Sequence, residues 1–442
     1  MARTIPKNSK GQALSSAWNL AWPLMVANVS LPLMAAVDTA VAGRLTGPQP
    51  LAAIALGGAW VTLVFWAFGF LRIAMGGLAA QAHGRGNRSE NWNLLGQGIG
   101  IAMVAGAALS ALGWWVIDPW LQGLALEPGL AEQTTAYTAV RWSGAILALA
   151  YYALHGWLMG QGNTRALAVI LVTTNVLNMA LSLAFGLWLD GGVAGIALAT
   201  VISQGGGVSL ALLQVRRQLR GTGPLGWPRW HGASALLRAN GWVFVRSLSL
   251  LAVFTWFNTQ SALLGAMDAA VNAVLLTLLS IAAYALDGFA DAAEIQTGQA
   301  LGRDDGNALK TALWAGAVCS FASALLASVM LAAGATWWVA LLSNQAAIAQ
   351  ETLAVFWWLA PLPLVAWVSY FFDGVFIGAN RFRAMAGIML ASTALVYFPL
   401  WWLTQPLGLS GLWLAFWGWQ LARAAAMAWF FRRRLWPTWA SA

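Results

Sequence analysis

Ionisable side chains inside long apolar stretches are the residues of this chain most able to do chemistry. Charged groups are costly in hydrocarbon, so each such residue is a candidate for a functional role. Carboxyl and imidazole groups can bind and release protons, and arginines can serve as counter-charges. The set comprises Asp38, Arg72, Arg141, His155, Arg246, Asp287, Asp291, Glu294, Asp373 and Arg423.

Asp38 is the only charge in the first apolar stretch, and Pro23 and Pro32 precede it. Proline removes a backbone hydrogen bond and makes a kink or hinge. A carboxyl group in a low-dielectric region can take up and release a proton in the working pH range. We therefore predict that Asp38 is a proton switch. The alternative is an ion pair with a buried arginine such as Arg72 that serves only assembly.

Asn175, Asn178 and Ser182 share one face of a predicted helix, because their spacing is i, i+3 and i+7. These neutral hydrogen-bonding groups could meet Asp38 in the interior of the N-terminal half. Hydrogen bonding between helices, without a further role, is the alternative.

Acids cluster instead in the second half of the chain. Asp287, Asp291 and Glu294 follow one another at i, i+4 and i+7, and three acids on one face cannot all ionise without partners. Either some are protonated, or they line water, or they meet Arg72, Arg246 or the surroundings of Asp373. Glu294 could lie near the helix end and be hydrated. Function and structural pairing both stay open for these acids, and we interpret Arg72 and Arg246 as buried counter-charges.

The composition places these residues on membrane-spanning helices. The 442 residues are 60% hydrophobic and 8% charged, whereas soluble proteins carry about 25% charged residues. Stretches of about 20 apolar residues in lipid must be helical, since only then are their backbone groups satisfied. We predict an all-α membrane protein with twelve spans: 14–43, 51–82, 93–117, 133–160, 166–189, 192–215, 239–267, 269–300, 311–343, 352–380, 384–404 and 407–431.

Basic residues lie at both ends of the chain and in every second loop, while acids dominate the alternate loops. This is the positive-inside pattern, and it predicts that both termini are cytoplasmic. The net charge of +9 therefore indicates membrane orientation and not nucleic-acid binding. The single cysteine, Cys319, allows no disulfide within the chain.

The chain contains an internal repeat in which the second copy follows the first at a fixed offset, close to half the chain length. Gln81-Ala82-His83-Gly84-Arg85 corresponds to Gln299-Ala300-Leu301-Gly302-Arg303, and Met159-Gly160 corresponds at the same offset to Ile377-Gly378. Duplication in a membrane protein is typical of transporters. We predict two pseudo-symmetric six-helix lobes, 1–220 and 239–442, joined by a cytoplasmic linker, 221–238.

Several segments in order along the chain resemble the multidrug and toxic compound extrusion (MATE) family, and its DinF-like branch most. They are Val37-Asp38-Thr39-Ala40-Val41-Ala42-Gly43, Gly77-Leu78-Ala79-Ala80-Gln81-Ala82, Arg246-Ser247-Leu248, Asn272-Ala273-Val274-Leu275, Ala283-Tyr284-Ala285-Leu286-Asp287-Gly288-Phe289-Ala290, Gly298-Gln299-Ala300 and Asp373-Gly374-Val375-Phe376-Ile377-Gly378-Ala379.

The resemblance implies a twelve-helix, V-shaped antiporter that exports organic compounds against an inward flow of H⁺ or Na⁺. It implies that Asp38 couples the cation and that Pro23 is the bending point of the first helix. The corresponding polar cluster of the N-terminal lobe comprises Tyr137, His155, Asn175, Asn178, Ser182 and Thr200.

Two positions depart from the family pattern. Ser182 stands where the family usually has Asp, and His155 where it usually has Asn; the seventh span also has no acid. The loss of carboxylates favours H⁺ over Na⁺, which prefers oxygen ligands with negative charge. His155 could itself accept a proton, or it could replace Asn as a neutral hydrogen-bonding group.

We therefore expect an H⁺-coupled exporter of small amphipathic or cationic organic compounds in a bacterial inner membrane. It would be a monomer without cofactors or nucleic-acid partners, and Na⁺ coupling stays possible. A flippase for lipid-linked precursors is the main alternative and would require Arg72, Arg141 and Arg246 to converge. A membrane enzyme would need a metal or nucleophile motif, which the sequence lacks. A channel would need a filter-like repeat, which is also absent.

Overall fold

The computed structural model describes residues 10–123, 126–220, 228–230 and 233–440. Within these ranges the regular elements are helical. They are α1 Lys10–Ala42, α2 Gln49–Ala67, α3 Phe70–Gly84, α4 Arg88–Gly123, α5 Pro128–Ser143, α6 Ala145–Gly160, α7 Thr164–Leu183, α8 Gly192–Leu219, α9 Ala233–Leu264, α10 Ala266–Gly302, α11 Gly306–Ala333, α12 Ala335–Leu342, α13 Ala346–Val355, α14 Pro363–Gly378, α15 Phe382–Ser392, α16 Phe398–Thr404, α17 Gly408–Phe430 and α18 Trp436–Ala440.

The described residues contain nine helices that are long and apolar enough to cross a membrane, or ten if α13 and α14 form one bent span. One of the nine, Phe382–Trp439, contains a helical hairpin. The chain reverses at Gly408, whose φ is +57°, and the rings of Tyr397 and Trp419 lie 6.3 Å apart across it. This hairpin supplies two spans, and α5 with α6 supplies another. The expected twelve spans are thereby confirmed.

Four predicted spans are broken where the sequence analysis expected continuous helices. The span 311–343 divides into α11 and α12 at Gly334. The span 51–82 divides into α2 and α3 before Gly69, and the span 133–160 divides at Gly144. The span 352–380 bends by 63° between α13 and α14, where Pro361 and Pro363 lie. Glycine weakens a helix interior and proline lacks the backbone donor, so each break has a local cause.

The chain forms two compact units. One contains Val26–Asn240, and the other contains Met1–Met25 together with Gly241–Ala442. The expected lobes 1–220 and 239–442 remain a prediction, and the compact units differ from them in grouping Met1–Met25 with the C-terminal half. Half of the expected linker 221–238 lies outside the described residues.

Helix α1 contributes to both units. Ala17 packs with Ala315, Ala21 packs with Phe289 and Ala292, and all of these residues belong to the C-terminal unit. The division after Met25 comes shortly after Pro23. The helix nevertheless continues without interruption from Lys10 to Ala42.

Glycine contacts repeat in the two units with the offset seen in the sequence. In the first copy, a Cβ on Gly156 would clash with the carbonyl oxygen of Arg72, and one on Gly160 with backbone atoms of Gly76 and Ala80.

In the second copy, Gly374 lies in the same way against Ala290, and Gly378 against Glu294 and Gly298. Every one of these positions is displaced from its counterpart by the offset that separates Gln81 from Gln299. The same close helix crossing is therefore built twice. The predicted pseudo-symmetry is confirmed at this crossing.

Candidate functional site

Asp38 and Ser182 form a short hydrogen bond between α1 and α7. The Ser182 hydroxyl donates to Oδ1 of Asp38 at 2.6 Å. Ser182 is fully buried and Asp38 is half-buried. The structure therefore brings the predicted proton switch into direct contact with the residue that replaces the family's usual acid. A hydroxyl that donates to a carboxylate stabilises its ionised form.

The other predicted residues of α7 also meet their neighbours through side chains. The Asn175 amide donates to the Ser30 hydroxyl at 2.6 Å, on α1 two turns before Asp38. The Asn178 amide donates to Thr200 of α8 at 3.0 Å. One face of α7 thus makes polar contacts with α1 at two levels and with α8 between them, as the i, i+3, i+7 spacing predicted.

Arg141 is a charged neighbour of Asp38 that the predicted site did not include. It interacts electrostatically with both Asp38 and Tyr137. Its guanidinium carbon lies 5.8 Å from the ring centre of Phe65, and Nη1 makes no hydrogen bond within the described residues. Tyr137 and Arg141 lie one turn apart on α5. That spacing was the sequence signal that could have placed Arg141 beside the predicted Tyr137.

Arg72 does not pair with Asp38 by hydrogen bonding, contrary to the alternative considered for this acid. Its Nη1 lies 3.7 Å from the sulfur of Met159, and it interacts electrostatically with His155. Arg72 and Arg141 nevertheless share one neighbour within the unit, because both interact electrostatically with Tyr152.

His155 is half-buried on α6 and packs edge-on against Tyr151, with ring centres 6.3 Å apart. Its position in the first copy corresponds to Asp373 in the second, through the offset of the sequence repeat. The two copies thus place different ionisable groups at the same point of the helix crossing.

Asp373 is shared by two arginines in the C-terminal unit. Oδ2 of Asp373 accepts from Nη2 of Arg246 at 2.6 Å and from Nη2 of Arg423 at 3.0 Å. Arg423 also donates to Gln420 at 2.9 Å and lies 4.8 Å from the ring centre of Trp419. Arg246 is thus a counter-charge as predicted, and Arg423 is a second that the predicted set of counter-charges lacked.

The acids of α10 follow the predicted face but differ in surroundings. Glu294 is only 3% exposed, so the expectation of a hydrated residue near the helix end is wrong. The reason is the close crossing, in which Gly378 packs against the Glu294 backbone. Asp287 and Asp291 are half-buried, and Asp287 interacts electrostatically with Tyr284 and Tyr370.

Comparison with known proteins matches this chain to one family model and to several relatives. The family model described as MatE matches residues 23–184 and 243–403. DNA damage-inducible protein F of Escherichia coli (strain K12) is 37% identical over 94% of this chain and 91% of its own length. A probable multidrug resistance protein NorM of Xanthomonas campestris pv. campestris is 27% identical over 90% of this chain and 87% of its own.

A solved structure shares the fold. A crystal structure of MATE in complex with MaL6 superposes with a TM-score of 0.89 at 17% identity, covering 99% of this chain and 98% of the other. The matched sequence segments include Asp38 and Ser182 in the first repeat and Arg246 and Asp373 in the second. The candidate residues therefore lie within the part of the chain that these proteins share.

Proposed function

The chain belongs to the MatE family of multidrug and toxic compound extrusion transporters, and we propose on this premise that it is an H⁺-coupled exporter of organic compounds. H⁺-coupled export against a gradient requires a residue that binds and releases a proton, together with a means of alternating access. The substrates would be small amphipathic or cationic molecules, in keeping with relatives named multidrug resistance proteins.

The hydrogen bond between Asp38 and Ser182 is the observation that carries the proposal. It joins the only carboxylate of α1 to α7. Protonation of Asp38 removes the negative charge that Ser182 stabilises, and so weakens the link between the two helices. An organic cation and a proton would then compete for the same carboxylate, which is the basis of exchange.

The surroundings of Asp38 support H⁺ over Na⁺ as the coupling ion. Sodium bound in a protein needs several oxygen ligands, and negative charge among them strengthens binding. Asp38 supplies the negative charge here, and Ser182 uses its hydroxyl proton to donate to it.

The energy available from protons is sufficient for modest accumulation. One proton moving through about 100 mV provides roughly 2.3 kcal/mol, which corresponds to about a fiftyfold concentration ratio. We propose that the protein works in the inner membrane as a monomer, with Pro23 as the bending point of α1. The position of Pro23 beside the division between the two compact units supports that role.

Asp38→Asn should abolish export, because Asn does not titrate in the working range. The measurement is transport of a fluorescent organic cation by purified protein in liposomes, with an imposed pH gradient or, separately, a Na⁺ gradient. We expect transport to fall to background for Asp38→Asn, and by about tenfold for Ser182→Ala, which loses one charge-assisted hydrogen bond.

Thr39→Val is the matched control, because Thr39 neighbours Asp38 but donates only to the Ala35 carbonyl of its own helix. It should transport at the wild-type rate. Uphill transport by Asp38→Asn would disprove the assigned role of Asp38. Transport driven by Na⁺ alone, with no response to the pH gradient, would disprove H⁺ coupling.

A further inference from the structure

A polar cleft lies at one end of the C-terminal unit. It has a volume of about 690 Å³ and is bounded by the start of α1, the end of α10 and the start of α11. The positive-inside pattern places this end of the unit at the cytoplasmic face of the membrane. The cleft thus lies where a membrane lipid presents its headgroup.

The lining of the cleft is amphipathic and contains two cations. Arg303 and Lys310 supply the positive charges, while Ser16, Gln296 and Thr311 supply neutral polar groups. Asp305 also lines the cleft, but its carboxylate caps α11 by accepting from the Ala308 amide at 2.8 Å. Ala13, Leu20 and Ala312 provide apolar surface on the same walls. This mixture suits a phosphate with attached hydrocarbon better than a soluble anion.

The equivalent arginine of the first copy of the repeat has a carboxylate partner that the second copy replaces. There Arg85, the counterpart of Arg303, forms a bidentate ion pair with Glu90, with N–O distances of 2.6 and 3.1 Å. The position equivalent to Glu90 in the second copy is Ala308. Among the described residues, no carboxylate lies within ion-pair distance of Arg303.

Polar groups packed beside Arg85 are also replaced. In the first copy, the Gln161 side chain hydrogen-bonds to His83 at 2.9 Å and to Asn91 at 3.0 and 3.2 Å. The equivalent positions in the second copy are Ala379, Leu301 and Leu309. Arg85 is thus paired with the Glu90 carboxylate in the first copy, whereas Arg303 lines the cleft from a turn that also carries Asp304 and Asp305.

We propose that this cleft binds the phosphate headgroup of an anionic membrane phospholipid, with Arg303 and Lys310 as its cationic ligands. Basic pockets between membrane helices on the cytoplasmic side are suited to such headgroups. Because Ala13, Ser16 and Leu20 form one wall, the bound lipid also holds the start of α1 against α10 and α11. Lipid composition would then set how firmly this part of α1 is anchored. The inference does not depend on which ion drives transport.

Lipid binding can be measured on the full-length protein in detergent by native mass spectrometry, with phosphatidylglycerol as the probe and phosphatidylcholine as the neutral comparison. Ala308→Glu is the decisive variant, since it restores the acid of the first copy without removing Arg303. Ala308→Gln is the matched control of similar size without charge. We expect Ala308→Glu and Arg303→Gln each to weaken phosphatidylglycerol binding about fivefold, and Ala308→Gln to leave it unchanged.

Inorganic phosphate and glycerol 3-phosphate distinguish a lipid from a free anion. We expect neither to displace phosphatidylglycerol at millimolar concentration. The proposal would be overturned if Ala308→Glu and Arg303→Gln both bound phosphatidylglycerol with wild-type affinity. The melting temperature of each variant shows whether it is folded. Displacement by the soluble phosphates, with the same loss in the variants, would overturn the assignment to lipid.

Discussion

The two lobes use their ionisable residues differently at the scale of single side chains. In the N-terminal unit, Asp38 meets a hydroxyl donor and is half-buried. In the C-terminal unit, Asp373 is fixed by two guanidinium groups. A carboxylate held by two cations is poorly suited to binding a further cation, whereas Asp38 keeps that capacity. This asymmetry favours Asp38 as the coupling residue.

Asp373→Asn is expected to destabilise the protein strongly. Arg246 and Arg423 have side chains only 13% and 4% exposed, so loss of the negative charge that they share would leave two buried cations without a counter-charge. Removing one partner from a buried ion pair costs about 3–5 kcal/mol. The measurement is the melting temperature of the purified protein in detergent.

Glu90→Gln is the matched comparison, because it breaks the Arg85–Glu90 pair, whose side chains are 41% and 37% exposed. Such a pair contributes at most about 1 kcal/mol, so we expect little change. Equal melting temperatures for the two variants would show that the Asp373 cluster does not stabilise the fold.

Sequence patterns predicted which residues share a helix face, but not which partner each would meet. The spacing of Asn175, Asn178 and Ser182 correctly gave one face of α7. Arg246 was predicted as a buried counter-charge, though not for Asp373, and Arg423 was not predicted as one. Arg423 lies 50 positions from Asp373, and only the packing of α14 on α17 brings them together.

At the scale of helices, the repeated close crossing is the feature that the two units share. The breaks at Gly69 and Gly144 and the bend between α13 and α14 were not predicted, because hydropathy averages over a whole span and does not register a single glycine or proline. The predicted number of spans is nevertheless correct, because a broken helix still crosses the membrane as one span.

Gly374→Val should prevent the close crossing of α10 and α14, and Gly156→Val the equivalent crossing in the first copy. Each added side chain would meet a backbone carbonyl, of Ala290 or Arg72, that cannot move without displacing its helix. We expect each to lower stability by several kcal/mol, at the upper end of overpacking, and to reduce expression in the membrane.

Gly387→Val is the control, because a Cβ at Gly387 meets no atom within 4 Å. It should express and melt close to the wild type. Normal stability of Gly374→Val would mean that the helices at this crossing separate more easily than their contacts indicate. Melting temperature and yield from membranes measure both effects.

Charge distribution gives a prediction for the whole molecule that helix packing cannot give. The alternation of basic and acidic loops predicts that both termini are cytoplasmic. A reporter enzyme active only in the cytoplasm, fused after Ala442, should therefore be active. The same reporter fused after Asp190 should be inactive, because the pattern places that loop on the opposite side. The reverse result would refute the predicted orientation.

The duplicated architecture was readable from the sequence because glycines and turn motifs recur at a fixed offset. The grouping of Met1–Met25 with the C-terminal half was not readable, since no local pattern records which distant helices a segment will contact. The apolar residues of α1 identify a span, but their partners Phe289, Ala292 and Ala315 lie in the other half of the sequence.

That grouping has a consequence for how the protein is made. The segment that ends at Met25 is synthesised before the residues that follow Gly241, yet its helical residues pack with several of them. At bacterial synthesis rates of about 5–20 residues per second, the partners Phe289, Ala292 and Ala315 are made roughly 13–60 seconds later. Until then, the start of α1 must wait in the bilayer or at the insertion machinery. In a chain truncated at the midpoint, the start of α1 would never gain these packing partners. Membrane proteases would then degrade the truncated chain.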